Sequence, residues 1–316
     1  MTTSKDNEIV SSVMSRWESL PEIQKKNALV DGDELATVIN RNLSEKGFWI
    51  YSLLKQCEEH SLESLICLCT DISKRLGFVL PQNLNNDLVT LIRDEGKNYS
   101  NPATRGHQTN NHLAYHSDRA DLSILLYVRP AAKGGALSIV SFKEALAVLK
   151  EKEVAAYNIL FQEFPFDLRE DRLFLLPKWH LRPICWQSED QIFGHYIRRF
   201  INDSSRHEDC HPLTPVQENA LDMFDDVLKT LGKNTQFLPS VGEIVITDNF
   251  KVLHARTAFD DDQESNARLA LRSWVAPYHS METAAFHAAF NGKWLRGSLS
   301  WRFGIQPRAY RKYWTN

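Results

Sequence analysis

The chain has 316 residues, 43% of them hydrophobic, and a formal net charge of −3. That length can bury a sizeable core, and the charge excludes the basic footprint of a nucleic-acid binder, since no block of five or six like charges occurs. No apolar stretch reaches the length of a membrane span, "MTTSKDNEIVSS" has no apolar signal core, and the five cysteines lack disulfide-framework spacing. We therefore expect a protein of the reducing cytoplasm, without nucleic acid or membrane as partner.

In chain order, residues 1–80 read as a mainly helical part. Ile9, Val10, Val13, Trp17 and Leu20 form a helical stripe, and "HSLESLICLCTDISKRL" (60–76) repeats the pattern and stops before Gly77. Between them "GFWIYSLL" (47–54) has the aromatic and β-branched content of a strand.

After residue 110 short apolar runs dominate: 122–128, 137–142, 243–248, 251–259 and 268–277. Turn signals such as Gly134-Gly135 and Gly242 separate them, which argues for a sandwich or barrel. Two helices interrupt the strands. One starts at Ser141, with Glu144 three residues on, and runs through "EALAVLKEKEVAAYNIL". The other has Thr214 as N-cap, Pro215 in the first turn, Gln217 as capping-box partner and Gly232 as its stop. No linker signal divides the chain, so we expect one domain: a helical N-terminal part (about 1–80), a β core, and an insertion (about 143–240) between core strands.

The chemistry concentrates at His116-Ser117-Asp118 in "NNHLAYHSDRADLSILLYV". An H-x-D by itself is close to chance. Placed at a strand, however, residues i and i+2 share a face, so an imidazole and a carboxylate would converge. Such a pair needs a third metal ligand, and His254 in the strand-like "KVLHARTAF" is the best candidate. Two histidines and a carboxylate with open positions are the facial triad of non-haem Fe(II) oxygenases. These enzymes use an anionic oxo-acid, whose far carboxylate a buried arginine fork would hold. Arg268 and Arg272, four apart in "RLALRSW", would share a strand face.

Two other readings are weaker. A hydrolase using Ser117 fails because that serine points away from its neighbours and no G-x-S-x-G elbow exists. A zinc site at His207, Cys210 and His211 lacks a matching second pair.

The constellation resembles the taurine dioxygenase (TauD/TfdA) family of Fe(II)- and 2-oxoglutarate-dependent dioxygenases, and its clavaminate-synthase-like relatives. The resemblance rests on His116-x-Asp118, Gly134-Gly135, "DNFKVLHARTAF" and Arg268-x-x-x-Arg272-x-Trp274, and extends through "KGFWIY", "LGFVLPQNLNNDLVTLIRDEG", "RGHQTNNHLAYHSD" and "LTPVQENALDMFDDVL". It implies a mainly β fold with flanking helices around a double-stranded β-helix, or jelly-roll, core. It implies Fe(II) on His116, Asp118 and His254, 2-oxoglutarate on Arg268, and O2 as oxidant. Arg272 falls where some members hold an anionic group of the substrate and others support the co-substrate. The product would be a hydroxylated or desaturated small polar molecule, an amino acid or a metabolite made from one. Halogenation is disfavoured because Asp118 fills the position that halogenating relatives leave vacant. The alternative is a non-catalytic, ligand- or partner-binding member of the same fold.

The sequence departs from the family at one position. The usual Thr or Ser after Gly-Gly-x is Leu137, and Ser138 could supply that hydroxyl only through a register shift, which sends side chains to the other face. For the substrate, the approach to the metal pair offers Gln108, Thr109 and Asn111 as hydrogen-bonding groups. The Trp-, Tyr- and Arg-rich tail, residues 290–316, would cover the pocket or form an oligomer contact.

Overall fold

A computed structural model describes residues 3–25, 33–80, 82, 87–169, 178–188, 191–261 and 267–277. The aromatic and basic tail lies outside the described residues. The chain opens with α1 (Ser4–Glu18), α2 (Glu22–Lys25), α3 (Asp33–Lys46), β1 (Phe48–Ser52) and α4 (Leu62–Leu76). Six strands follow: β2 (Gly77–Leu80), β3 (Val89–Ile92), β4 (Leu113–His116), β5 (Leu122–Arg129), β6 (Lys133–Gly134) and β7 (Leu137–Ser141). The insertion holds α5 (Phe142–Lys152), α6 (Val154–Ile159), the hairpins β8 (Glu163–Asp167) with β9 (Trp179–Pro183) and β10 (Cys185–Ser188) with β11 (Gln191–Gly194), then α7 (Arg198–Asp203) and α8 (Pro215–Gly232). The chain then returns through β12 (Gln236–Phe237), β13 (Glu243–Asp248), β14 (Val252–Arg256), β15 (Phe259–Asp260) and β16 (Leu269–Pro277).

Two antiparallel sheets form the jelly roll. The major sheet has the order β1-β13-β5-β16-β2, with β3 also paired to β16; the minor sheet runs β12-β7-β14-β4. Period-2 alternation decides which side chains enter the space between them. From β5, Ile124, Leu126 and Val128 face outward to α1, α3 and α4, where Val10, Val13, Trp17, Leu65, Leu68 and Ile72 complete one core. Tyr127, from the other face of β5, joins Leu137, Ile139, Val245 and Ala270 between the sheets. Val140 and Leu253 face outward from the minor sheet, onto a third cluster with Phe142, Leu146, Leu221 and Phe224 of the insertion helices. The insertion thus covers the outer face of the minor sheet as the N-terminal helices cover that of the major sheet.

Three expectations are refined. The helix expected from Ser141 onward is two helices, because Glu153 leaves helical geometry (φ −155°, ψ 96°) and its carboxylate caps α6 through the Ala155 N–H. The break turns α6 so that Ala156 joins the cluster holding Leu221 and Phe224. The apolar run 251–259 is two strands, interrupted where the Thr257 N–H donates to the Ala136 carbonyl and β15 pairs instead with β6. Asp118, finally, is not a strand residue: β4 ends at His116, and Asp118 lies in the connection to β5. Among the described residues no helix is long and apolar enough to cross a membrane, and the five cysteines are free.

Gly134 shows why the double glycine is needed. Its φ is +72°, and a Cβ there would lie 2.2 Å from the Ala258 carbonyl oxygen, just before β15. Gly134→Ala should therefore cost about 1–3 kcal/mol. The denaturant midpoint should fall with an unchanged slope, and an unchanged midpoint would show that the loop yields freely.

Candidate metal and co-substrate site

The three candidate ligands meet between the sheets. β14 pairs with β4 so that His254 stands directly opposite His116, with ring centroids 4.4 Å apart. Ligand atoms of His116, Asp118 and His254 all lie within 4.8 Å of one another. Among the described residues this is the one such group of three histidine, cysteine or acidic side chains. The alternative zinc cluster does not assemble: His207 instead bonds to Asp167 at 3.0 Å, and the Cys210 thiol donates to the His211 carbonyl.

Asp118 reaches the histidines because its turn is pinned from several directions. Its N–H donates to the Asn249 side chain (3.0 Å), and the Asn249 amide donates onward to the Ala120 carbonyl and the Ser123 hydroxyl. The Asp118 carbonyl accepts from His195 Nε2 (3.1 Å), whose Nδ1 accepts from Arg182 (2.7 Å). Ser117 is buried, and its N–H donates to the Tyr196 carbonyl, so it is a structural residue. On the carboxylate itself, Oδ2 accepts from the Ser123 hydroxyl (2.6 Å) and Oδ1 from Arg272 Nη1 (3.2 Å). Gln82 holds that arginine, accepting from its Nε at 2.8 Å.

Electrostatics prepare the set for a cation. Burial would raise the Asp118 pKa, but Arg272, His254, His116 and the Ser123 hydroxyl outweigh it and keep the carboxyl ionised well below the usual range. Burial pushes His254 down to about 3, with His116 adding to the effect, and burial also lowers His116. Both imidazoles are neutral at pH 7, the form that binds metal. His116 Nδ1–H donates to the Ala114 carbonyl (2.8 Å), which leaves Nε2 as the free lone pair. His254 Nδ1 is buried without a hydrogen-bond partner among the described residues. Two neutral imidazoles and one carboxylate on one side of a cavity fit an octahedral Fe(II) with open positions.

A cavity of about 160 Å³ extends from these ligands. Leu125, Tyr127, Leu137, Arg256, Arg272 and Trp274 line it from the strands, Gln82 and Arg268 from beside them, and Thr104, Arg105 and His107 from the loop before β4. Among the described residues Asp118 is the single acid of the lining. Arg268 and Arg256 are both nearly inaccessible, at 3% and 5% exposed, and neither forms an ion pair among the described residues. Arg268 Nη1 and Arg256 Nε are buried without hydrogen-bond partners among the described residues. Buried cations without counter-charges are costly, so the lining fits an anionic carboxylate such as that of an oxo-acid.

The remaining residues singled out in the sequence lie elsewhere. Ser138 faces away from the cavity, with its hydroxyl against Tyr115 (2.7 Å), Thr235 and the Gly232 carbonyl. The regular β7–β14 pairing, Leu137 to Arg256 and Ser138 to Ala255, shows that no register shift rescues it. Gln108 bonds to Glu95 and to the Arg105 N–H, and the Thr109 hydroxyl donates to the Gly106 carbonyl. Thr109 and Asn111 contribute carbonyls that accept from Arg256 Nη2. None of Ser138, Gln108, Thr109 and Asn111 lines the cavity. Arg256 was legible by the same rule that paired His116 with Asp118, since it stands two residues from His254 on one strand. Tyr127, Gln82, Asn249 and His195 carried no such signal.

The profile of the taurine catabolism dioxygenase TauD, TfdA family matches residues 32–274. A curated relative, FR-33289 synthase of Streptomyces rubellomurinus (strain ATCC 31215), is 26% identical over 208 residues, or 65% of this chain. The match spans only 61% of that relative's length. Among solved structures, asparagine oxygenase with Fe(II), 3-hydroxyasparagine and succinate superposes with a TM-score of 0.63 at 16% identity, covering 86% of this chain and 92% of that one. The non-heme iron oxygenase OrfP with Fe and alpha-ketoglutaric acid gives 0.56 at 14% identity, with the same coverage. At these identities the two structures speak for the shared fold. The profile match, covering most of the chain, is what makes this protein a member of the TauD/TfdA dioxygenase family.

Proposed function

We propose that this protein is an Fe(II)- and 2-oxoglutarate-dependent oxygenase that hydroxylates or desaturates a small polar substrate, an amino acid or a metabolite derived from one, with release of succinate and CO2. One observation carries the reading: the 2-His-1-carboxylate group opens into the same cavity as two buried arginines that, among the described residues, no carboxylate neutralises. In this reading His116, Asp118 and His254 hold the metal, and Arg268 holds the far carboxylate of 2-oxoglutarate. Bound Fe(II) supplies the activation of O2, driven by oxidation of the oxo-acid.

The chain's own residues do the rest. Gln82 and Arg272 fix the Asp118 carboxylate, and Asn249 and His195 fix its backbone. Leu125, Leu137, Ile92 and Trp274 give the cavity apolar walls that limit water. Among the described residues Arg272 donates through Nε to Gln82 and through Nη1 to Asp118, which leaves Nη2 for an anionic group of the substrate. His107, kept neutral by burial and by Arg272 and Arg105, lies at the same end. With Thr104 and Arg105, His107 takes the substrate-contact role first assigned to Gln108, Thr109 and Asn111. That asparagine oxygenase and OrfP have been crystallised with hydroxylated amino acids supports the substrate class. We also read the whole chain as one domain working in the cytoplasm, which its five free cysteines support.

Anaerobic Fe(II) plus 2-oxoglutarate should produce a visible charge-transfer band. A panel of free and derivatised amino acids should then contain one that triggers succinate formation in air, with a product one oxygen heavier or two hydrogens lighter by mass spectrometry. Protein that gives neither the band nor succinate would instead be a non-catalytic member of the fold.

A further inference from the structure

The family-typical hydroxyl beside the co-substrate is missing here, because Leu137 occupies the inward position and Ser138 faces outward. Three observations converge on what replaces it. Leu137 is the direct cross-strand partner of Arg256, so a second guanidinium stands beside the place where the hydroxyl is lacking. Arg256 is fixed there by the Thr109 and Asn111 carbonyls on its Nη2, while its Nε is buried without a partner among the described residues. From the facing sheet, Tyr127 pairs with Ala270, two residues from Arg268, and lines the same cavity. The Arg268 guanidinium lies 5.5 Å from the Tyr127 ring centroid and acts on its hydroxyl. Both guanidinium groups also lie over one ring, that of Phe259, at 4.7 Å for Arg256 and 5.1 Å for Arg268. Two like charges are thus held around one point with a phenol beside them, and the one acid of the lining among the described residues is engaged by Arg272 at the metal end.

We propose that the far carboxylate of the oxo-acid co-substrate is seated by Arg268, Arg256 and the Tyr127 hydroxyl together, the tyrosine supplying the hydroxyl that Leu137 cannot. The inference rests on the co-substrate reading above. Tyr127 is suited to the task because burial raises its pKa, so it keeps its proton and donates it to the anion. The second arginine gives the seat enough positive charge to take a carboxylate out of water.

The test compares two oxo-acids without oxygen, by titrating the charge-transfer band of the Fe(II) protein with 2-oxoglutarate and with 2-oxobutyrate. Both have the same chelating end, and only the first has a far carboxylate. Tyr127→Phe should weaken 2-oxoglutarate about tenfold and leave 2-oxobutyrate unchanged, as expected for one lost hydrogen bond to a charged group. Adding Leu137→Thr to that variant should restore most of the loss, and Arg256→Lys should weaken 2-oxoglutarate selectively. Unchanged 2-oxoglutarate binding in Tyr127→Phe, or equal weakening of both oxo-acids, would overturn the assignment. Wild-type protein that shows no band with either oxo-acid would overturn the underlying oxygenase reading, and this inference with it.

Discussion

His254→Ala is expected to lower Fe(II) affinity by more than about 100-fold while leaving the metal-free fold intact. Losing an outer-shell partner of a metal ligand alone costs about 10–100-fold, and His254 would be a ligand itself. The fold should tolerate the change because His254 Nδ1 has no hydrogen-bond partner among the described residues to be stranded. Asp118→Ala gives the contrast that makes the test specific. It removes a ligand too, but it also leaves Arg272 buried without the carboxylate 3.2 Å away. Breaking one side of such a buried pair costs about 3–5 kcal/mol. Anaerobic metal titration should show loss of binding in both variants, and denaturation of the metal-free proteins should show destabilisation in Asp118→Ala alone. Equal stability losses would mean that His254 is a packing residue, and wild-type-like iron binding in His254→Ala would remove the metal assignment.

Arg268→Ala should raise the 2-oxoglutarate requirement by about 10–150-fold, the equivalent of about 1.5–3 kcal/mol for a hydrogen-bonded charged group. Iron binding should change little, because the ligand set is anchored by Gln82, Arg272, Asn249 and His195 rather than by Arg268. The metal-free protein should lose little stability or gain some. Truncation removes a buried cation whose Nη1 has no partner among the described residues, and it relieves the repulsion that adds to burial in bringing Arg256 down to about 10. An arginine that merely holds the fold together would behave in the opposite way. An unchanged 2-oxoglutarate requirement would take Arg268 out of the co-substrate seat.

Elements legible in the sequence are those whose patterns are local. The Thr214 capping box with Pro215 and Gly232 marks α8 at both ends, and the run 243–248 is β13 as it stands. The stripe Val10, Val13 and Trp17 marks α1. The hairpins β8–β9 and β10–β11 and the helix α3 were not legible, since their partners lie within an insertion of mixed polarity or in a separate core. The same division runs through the site. His116, Asp118, His254, Arg268 and Arg272 were legible because their residue types are costly in a β core unless they serve an ion or an anion. The loop residues Gln108, Thr109 and Asn111 were misplaced because polar side chains in a loop carry no periodicity to say which way they face.

The sequence by itself determined the candidate ligand types, the two buried arginines that follow them and the strand-rich class. All of these are matters of side-chain chemistry and short-range period. Only the tertiary structure decided that Asp118 reaches the histidines from a turn held by Asn249 and His195 rather than from a strand. Only the tertiary structure turned Ser138 outward and set Arg256 and Tyr127 from opposite sheets around Arg268. Those positions depend on which strands pair and in what register, and that is fixed by contacts between residues far apart in the chain, which no local pattern encodes.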